Sequence, residues 1–206
     1  MIAPEIRARI AALPSRTTGA IRAIRREYSK LLANARAAEV MAVARELLPD
    51  WRFVAYELIQ HHRDASTALG SRELGQLGRG MADWADVDCF ARFLAGPAWL
   101  ARQIPDSVIH TWARSRDRWW RRAALVATVE LNRSPRGDAR RTLRVCRMLM
   151  ADRDDMVVKA LSWALRELAK RDPRAVRDFL AARSGKLAPR VLREVRNKLT
   201  TGLKNP

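Results

Sequence analysis

Between Gly80 and Phe93 the chain reads GMADWADVDCFARF, which sets three aspartates and a tryptophan within six residues. These are groups that receive positive charge: a carboxylate pairs with a cation, and the face of an indole attracts one. Local helix chemistry accounts for two of the acids. Asp83 stands where a helix N-cap is needed, and Asp86 falls in the first turn, where the helix dipole favours an anion. Asp88 has no such duty. Trp84 lies four residues before it, so one helical face carries both. The surrounding chain is the opposite in character. Among 206 residues, 40 Lys and Arg oppose 22 Asp and Glu, a formal net charge of +18. A surplus of that size implies a polyanionic partner, most often nucleic acid.

The basic residues fall in patterns. Arg22, Arg25, Arg26 and Lys30 follow i, i+3, i+4 and i+8, a single helical stripe. Lys186, Arg190, Arg193, Arg196 and Lys198 cluster near the C-terminus. Such groups neutralise phosphates and release counterions, which makes binding salt-dependent. Other chemistries find little support. His61, His62 and His110 are too few, and wrongly spaced, for a metal site. Cys89 and Cys146 make neither a disulfide framework nor a metal spacing, and each reads as a small packing residue. There is no Gly-rich phosphate loop and no nucleophile elbow. No cofactor is expected. The longest uncharged run, FLAGPAWLA at 93–101, is far short of a membrane span, and no secretory leader is read at the N-terminus. The expected location is cytoplasmic, beside the nucleoid.

Helices must position these residues. Strand-like alternation is nearly absent, and Pro, Gly, Asp and Ser punctuate helical spacing. Helices are predicted near 4–12, 18–33, 35–48, 51–63, 71–79, 84–95, 97–103, 106–114, 117–132, 138–150, 154–171, 174–183 and 189–202. The segment from Asp117, DRWWRRAALVATVEL, aligns without a gap on the segment from Asp154, DDMVVKALSWALREL. A small residue recurs at Ala55, Ala91, Ala123 and Ala160, at intervals of 36, 32 and 37 residues. That period belongs to helical solenoids. The predicted fold is all-α, a single domain over 1–206 in which antiparallel helix pairs stack into a right-handed superhelix with a concave basic groove.

Several segments, in order, resemble the HEAT-like-repeat DNA glycosylases of the AlkD type, the DNA alkylation repair family. WADVD at 84–88 resembles that family's Trp-x-x-x-Asp helix. SRDRWWRRAAL at 115–125 resembles the next repeat, with Arg122 directly before Ala-Ala. KALSWALRELAKRDP at 159–173 resembles its most specific stretch and includes Trp163. LAPRVLREV at 187–195 resembles the entry to its terminal helix, and SRTTGAIRAI near Ser15 matches its N-terminal repeat faintly. The resemblance runs from about residue 15 to 200. Two departures stand out: Asp83 occupies a place often held by a second tryptophan, and the N-terminal region is shorter by a helix or so.

The resemblance implies a base-excision repair enzyme, an N-glycosyl hydrolase acting on N3-alkyladenine and N7-alkylguanine in double-stranded DNA without drawing the base into a deep pocket. An alkylated purine is already cationic and leaves readily. What remains is a positive sugar and an attacking water, which a carboxylate stabilises and orients. Asp88 takes that role, with Trp84 and Trp163 lining the sugar. Arg122 is expected to clamp a phosphate, and Lys159, Arg121, Arg166, Arg25, Arg26, Arg190 and Arg193 to add affinity. Lys159 as a Schiff-base nucleophile is the weaker reading. Counted at ~100° per residue from the repeated alanines, Arg122 and Trp163 lie within about 40° of each other, but Asp88 lies about 120° from Trp163. The expected state is a metal-free monomer without membrane contact. The rivals are a non-catalytic scaffold for branched or damaged DNA and an adaptor for an acidic protein.

Overall fold

A computed structural model of the chain describes residues 1–133 and 137–206. Among them there are helices and no strands, an architecture consistent with a stack of helical repeats. The contacts group the chain into two compact units, residues 1–80 and 81–206.

The first unit holds α1 (Ile2–Ala11), α2 (Thr18–Leu31), α3 (Ala37–Leu47), α4 (Arg52–Gln60), α5 (Arg63–Thr67) and α6 (Ser71–Leu77). Its centre is α4, nearly all of whose residues are buried, packed on α2, α3 and α5. The helix predicted over 51–63 stops early. His62 breaks it and caps α5, its Nδ1 accepting the Ala65 N–H at 3.1 Å. Arg25 is also placed differently from the expected exposed stripe. It is 7% exposed, and its Nε donates to Glu57 of α4 at 3.0 Å. Arg22 donates to the other oxygen of Glu57 at 2.7 Å. A buried carboxylate needs such partners, so α2 turns this part of its basic face inward.

The second unit contains α7 (Trp84–Phe90), a π-helical turn (Ala91–Ala95), α8 (Gly96–Leu100), α9 (Asp106–Ala113), α10 (Arg118–Arg133), α11 (Ala139–Leu149), α12 (Asp155–Leu168), α13 (Pro173–Arg183), a short 3₁₀ turn (Ser184–Lys186) and α14 (Pro189–Thr201). Helix α10 is the hub. It is buried without a break from Arg122 to Val129 and meets α7, the π turn, α8, α9, α11 and α12. Aspartates open four of these helices: Asp83, Asp138, Asp154 and Asp172 each accept a backbone N–H of the first turn, the preferred N-cap chemistry.

The two helices predicted over 84–95 and 97–103 form one continuous rod. Pro97 has no N–H to give the preceding turn. The helix widens ahead of it, and the Gly96 N–H reaches back five residues to the Ala91 carbonyl. Gly96 also lets α8 lie tight on α10, since a Cβ there would stand 2.9 Å from the Ala127 oxygen and from Glu130 Cβ.

The repeated alanines Ala55, Ala91, Ala123 and Ala160 are all buried. A second regularity runs with them. Arg22 and Arg25 reach Glu57, Asp88 meets Arg122, Arg92 meets Glu130, Arg121 meets Asp152, Asp155 meets Arg190, and Ser162 meets Glu194. In every case the partners are 31 to 38 residues apart. Polar side chains thus join segments about one repeat apart.

Candidate functional site

The second unit brings together most of the residues singled out around Asp88. Asp83 accepts the Asp86 N–H at 2.9 Å, which starts α7. Trp84, the first residue of α7, is 57% exposed and stands out from the helix surface. One turn later Asp88 projects toward α10. Its side chain is only 17% exposed. Both of its oxygens are held by one guanidinium: Arg122 Nε donates to Oδ1 and a terminal nitrogen to Oδ2, each at 2.9 Å. The remaining terminal nitrogen of Arg122 donates to the Met156 carbonyl, in the first turn of α12, at 2.6 Å. A single side chain therefore ties α7, α10 and α12 together through a planar fork that lysine cannot reproduce.

Arg122 was expected to face a DNA phosphate. The structure gives all three of its nitrogens to protein acceptors and leaves it 6% exposed. Its role in this geometry is to hold and charge-balance Asp88.

Two further residues complete the group, and sequence reasoning missed both. Arg92 lies at the start of the π turn, and its guanidinium carbon sits 5.8 Å from the centre of the Trp163 ring. Its Nε donates to Glu130 of α10 at 3.3 Å, and Glu130 also receives Arg133 at 3.2 Å. Arg92 thus links the Asp88 helix to Trp163. The signal was present, because Arg92 follows Asp88 by four residues and Trp84 by eight, on the same helical face. The angular count that set Asp88 apart from Trp163 agrees with their different partners. Asp88 meets Arg122 of α10, whereas Trp163 of α12 is reached through Arg92, so the two do not share one face across the repeats.

The electrostatics of Asp88 are a contest. Burial pushes its carboxyl above the usual aspartate range. The Arg122 hydrogen bonds and charge, and then the Arg92 charge, pull it down, while Asp83 adds slightly to the rise. Burial wins. The acid is therefore stabilised by its partners yet holds its proton to a higher pH than a free aspartate.

The expected DNA contacts divide by exposure. Arg26 and Arg193 are exposed. Lys159 is exposed and Arg190 partly exposed, and they share Asp155, each at 2.6 Å. Arg121 is half-buried against Asp152 at 2.7 Å, and it also donates to the Ser115 and Arg116 carbonyls. Arg166 donates to Ser162 at 3.2 Å beside the buried Glu194, and burial lowers its pKa. Arg25 belongs to the Glu57 cluster of the first unit.

Among the described residues, no group of three His, Cys, Asp or Glu side chains is placed to hold a metal ion. No helix among the described residues is long and apolar enough to cross a membrane. Cys146 is buried, and burial pushes its thiol up to about 12. It is a packing residue rather than a nucleophile.

Residues 16–199 fit the family model described as DNA alkylation repair enzyme. No curated protein matches the chain.

Proposed function

The chain belongs to the DNA alkylation repair enzyme family, and from that premise we propose that it is a monofunctional DNA glycosylase that hydrolyses the N-glycosidic bond of cationic alkylpurines. Its substrates are N3-alkyladenine and N7-alkylguanine in duplex DNA, and the base leaves without being drawn into a pocket. The observation that carries the reading is the forked pair of Asp88 and Arg122 beside Arg92 and Trp163.

The chemistry follows from what the substrate lacks. An alkylated purine carries its own positive charge, so it departs with its bonding electrons and needs no proton from the protein. The sugar left behind is an oxocarbenium-like cation. Asp88 offers it a fixed negative charge in a place where little water competes, which is where such charge acts most strongly. Ionised Asp88 has about four acceptor positions, of which Arg122 occupies two. The others are open to an attacking water, whose proton Asp88 accepts as the new C1′–O bond forms. The indoles of Trp84 and Trp163 present faces that favour a cation. Arg26, Lys159, Arg190 and Arg193 supply phosphate contacts without sequence preference.

The test is release of free base from methylated duplex DNA under single-turnover conditions. The purified chain is expected to release 7-methylguanine and 3-methyladenine. A folded protein that binds this DNA tightly and releases neither base is a binding scaffold, and the glycosylase reading fails.

A further inference from the structure

We propose that the cleft between α9 and α11 is a separate binding site for a phosphate group, carried by a small phosphomonoester. The cleft has a volume of about 220 Å³ and is lined by Asp106, His110, Arg140, Arg141, Arg144 and Arg147. None of these residues belongs to the group around Asp88, so the site stands or falls independently of the proposed glycosylase activity.

The wall of the cleft is built rather than loose. Arg141 is 4% exposed. It donates to the Trp99 carbonyl at 2.9 Å, its guanidinium carbon sits 4.9 Å from the centre of the Trp99 ring, and it pairs with Asp138. The Trp99 indole in turn donates to Asp106 at 2.8 Å. The one carboxylate lining the cleft is therefore already engaged, and Arg141 is a fixed structural cation.

The other three arginines are different. Arg140, Arg144 and Arg147 follow i, i+4 and i+7 on α11, one helical face that spans about 10 Å. All three are exposed. Among the described residues, none of them has a hydrogen-bonded or ion-paired partner, whereas Arg118, Arg121, Arg122, Arg133, Arg141 and Arg190 of the same unit all pair with acids. His110 registers the imbalance. Burial lowers its pKa first, and Arg144 and Arg114 lower it further against the opposing pull of Asp106. Near neutral pH the ring is uncharged and offers one N–H donor.

Three unpaired guanidiniums and an imidazole N–H around one small space are the donors that a tetrahedral oxyanion accepts. The arginine fork fits its paired oxygens, which a spherical chloride ion does not offer. A space of this volume, walled by two helices, suits a terminal phosphate with two charges better than the continuous side of a duplex.

The experiment is a titration of the full chain with inorganic phosphate and with deoxyadenosine 5′-monophosphate, at ionic strength held constant with sodium chloride. It is followed by calorimetry and by the imidazole NMR signals of His110. Both ligands are expected to bind saturably and to shift His110. Arg144→Ala/Arg147→Ala should weaken both at least about tenfold per arginine removed while leaving base release from methylated DNA unchanged. The substituted side chains are exposed, and an unchanged circular dichroism spectrum checks the fold. Absence of saturation, or a His110 shift that sodium chloride reproduces, overturns the proposal. So does a double variant that binds phosphate normally and loses affinity only for unphosphorylated duplex, because the arginines would then be general backbone contacts.

Discussion

Replacing Asp88 by asparagine tests the candidate site most directly, because it removes a charge while keeping the shape. In the folded chain Asp88 accepts two bonds from Arg122 at 2.9 Å, with 17% of its side chain exposed. Asparagine keeps one acceptor but turns an amide N–H₂ toward the second guanidinium nitrogen. Loss of one charge-assisted bond costs about 1.5–3 kcal/mol. Against this, the variant no longer buries an ionised carboxylate, the effect that holds Asp88 above its usual pKa. The two terms oppose each other, and the net change in stability at neutral pH is expected to stay within about 2 kcal/mol. On the proposed mechanism the catalytic loss is larger. Removing a preorganised charge that faces the transition state costs roughly 10²–10³ in rate. Asp88→Asn should therefore release 7-methylguanine at least about a hundredfold more slowly, while binding methylated duplex nearly as well as the original chain.

The same substitution has a signature in pH. The folded pKa of Asp88 lies above its unfolded value, so the native state binds the proton more tightly. Its stabilising contribution is complete below the unfolded value and is lost as pH rises through the folded one. On acidification from neutrality the original chain should gain stability relative to Asp88→Asn, measured by urea unfolding at a series of pH values. Base release should fall as Asp88 takes up its proton, with an acid limb above the usual aspartate range. Release by Asp88→Asn within threefold of the original rate, at unchanged affinity, would refute the catalytic assignment.

Arg122→Lys keeps the charge but not the fork that spans Asp88 and Met156. It should slow release about ten- to a hundredfold and move the acid limb to higher pH. Because Arg122 is buried, the salt dependence of DNA binding should not change; a shallower slope would make it a phosphate contact after all. Arg193→Ala, at an exposed residue, should lower the slope of log affinity against log salt by about 0.9, the value for one phosphate contact; an unaltered slope removes it from the interface. Gly96→Ala gains up to about 1 kcal/mol of helix propensity. It also drives a Cβ to 2.9 Å from the Ala91 and Ala127 oxygens and from Glu130 Cβ. Overpacking of that kind costs about 1–3 kcal/mol and should win. A melting temperature lower by several degrees is expected, and an unchanged one would show that the α8–α10 approach is slack.

The helices themselves were legible because helical spacing and aspartate caps are local signals. The joints were not. A Gly-Pro pair at 96–97 reads as a break, yet the rod continues, because the reason for Gly96 is the surface of α10, far away in sequence. Nothing local marks His62 as the cap of α5. The site shows the same division. Asp88, Arg122 and Trp163 could be named from residue type and resemblance, but which way Arg122 points depends on α7 and α12 being its neighbours. Arg25 shows this from the other side. Its place in a basic stripe is correct as spacing, but Glu57, 32 residues away, turns it inward. Sequence period reveals that two residues share a face, and only packing decides what that face meets.

The packing around Asp88 also bears on how a carboxylate can serve a cation while already paired with one. Full neutralisation by neighbouring arginines would leave it no field to offer. Two features prevent that. The charge of Arg92 is directed to Glu130 and to the face of Trp163, so it contributes to Asp88 only through space. The charge of Arg122 is shared between Asp88 and the Met156 carbonyl, and the fork occupies two of about four acceptor positions. What remains is an oriented carboxylate with open lone pairs, restrained so that, in the proposed reaction, little reorganisation would be needed as positive charge developed beside it. Were Arg122 a phosphate clamp instead, Asp88 would lose its restraint, and burial alone would raise its pKa further and leave it protonated over a wider range of pH. The ion pair thus opposes the effect of burial and keeps the acid aimed.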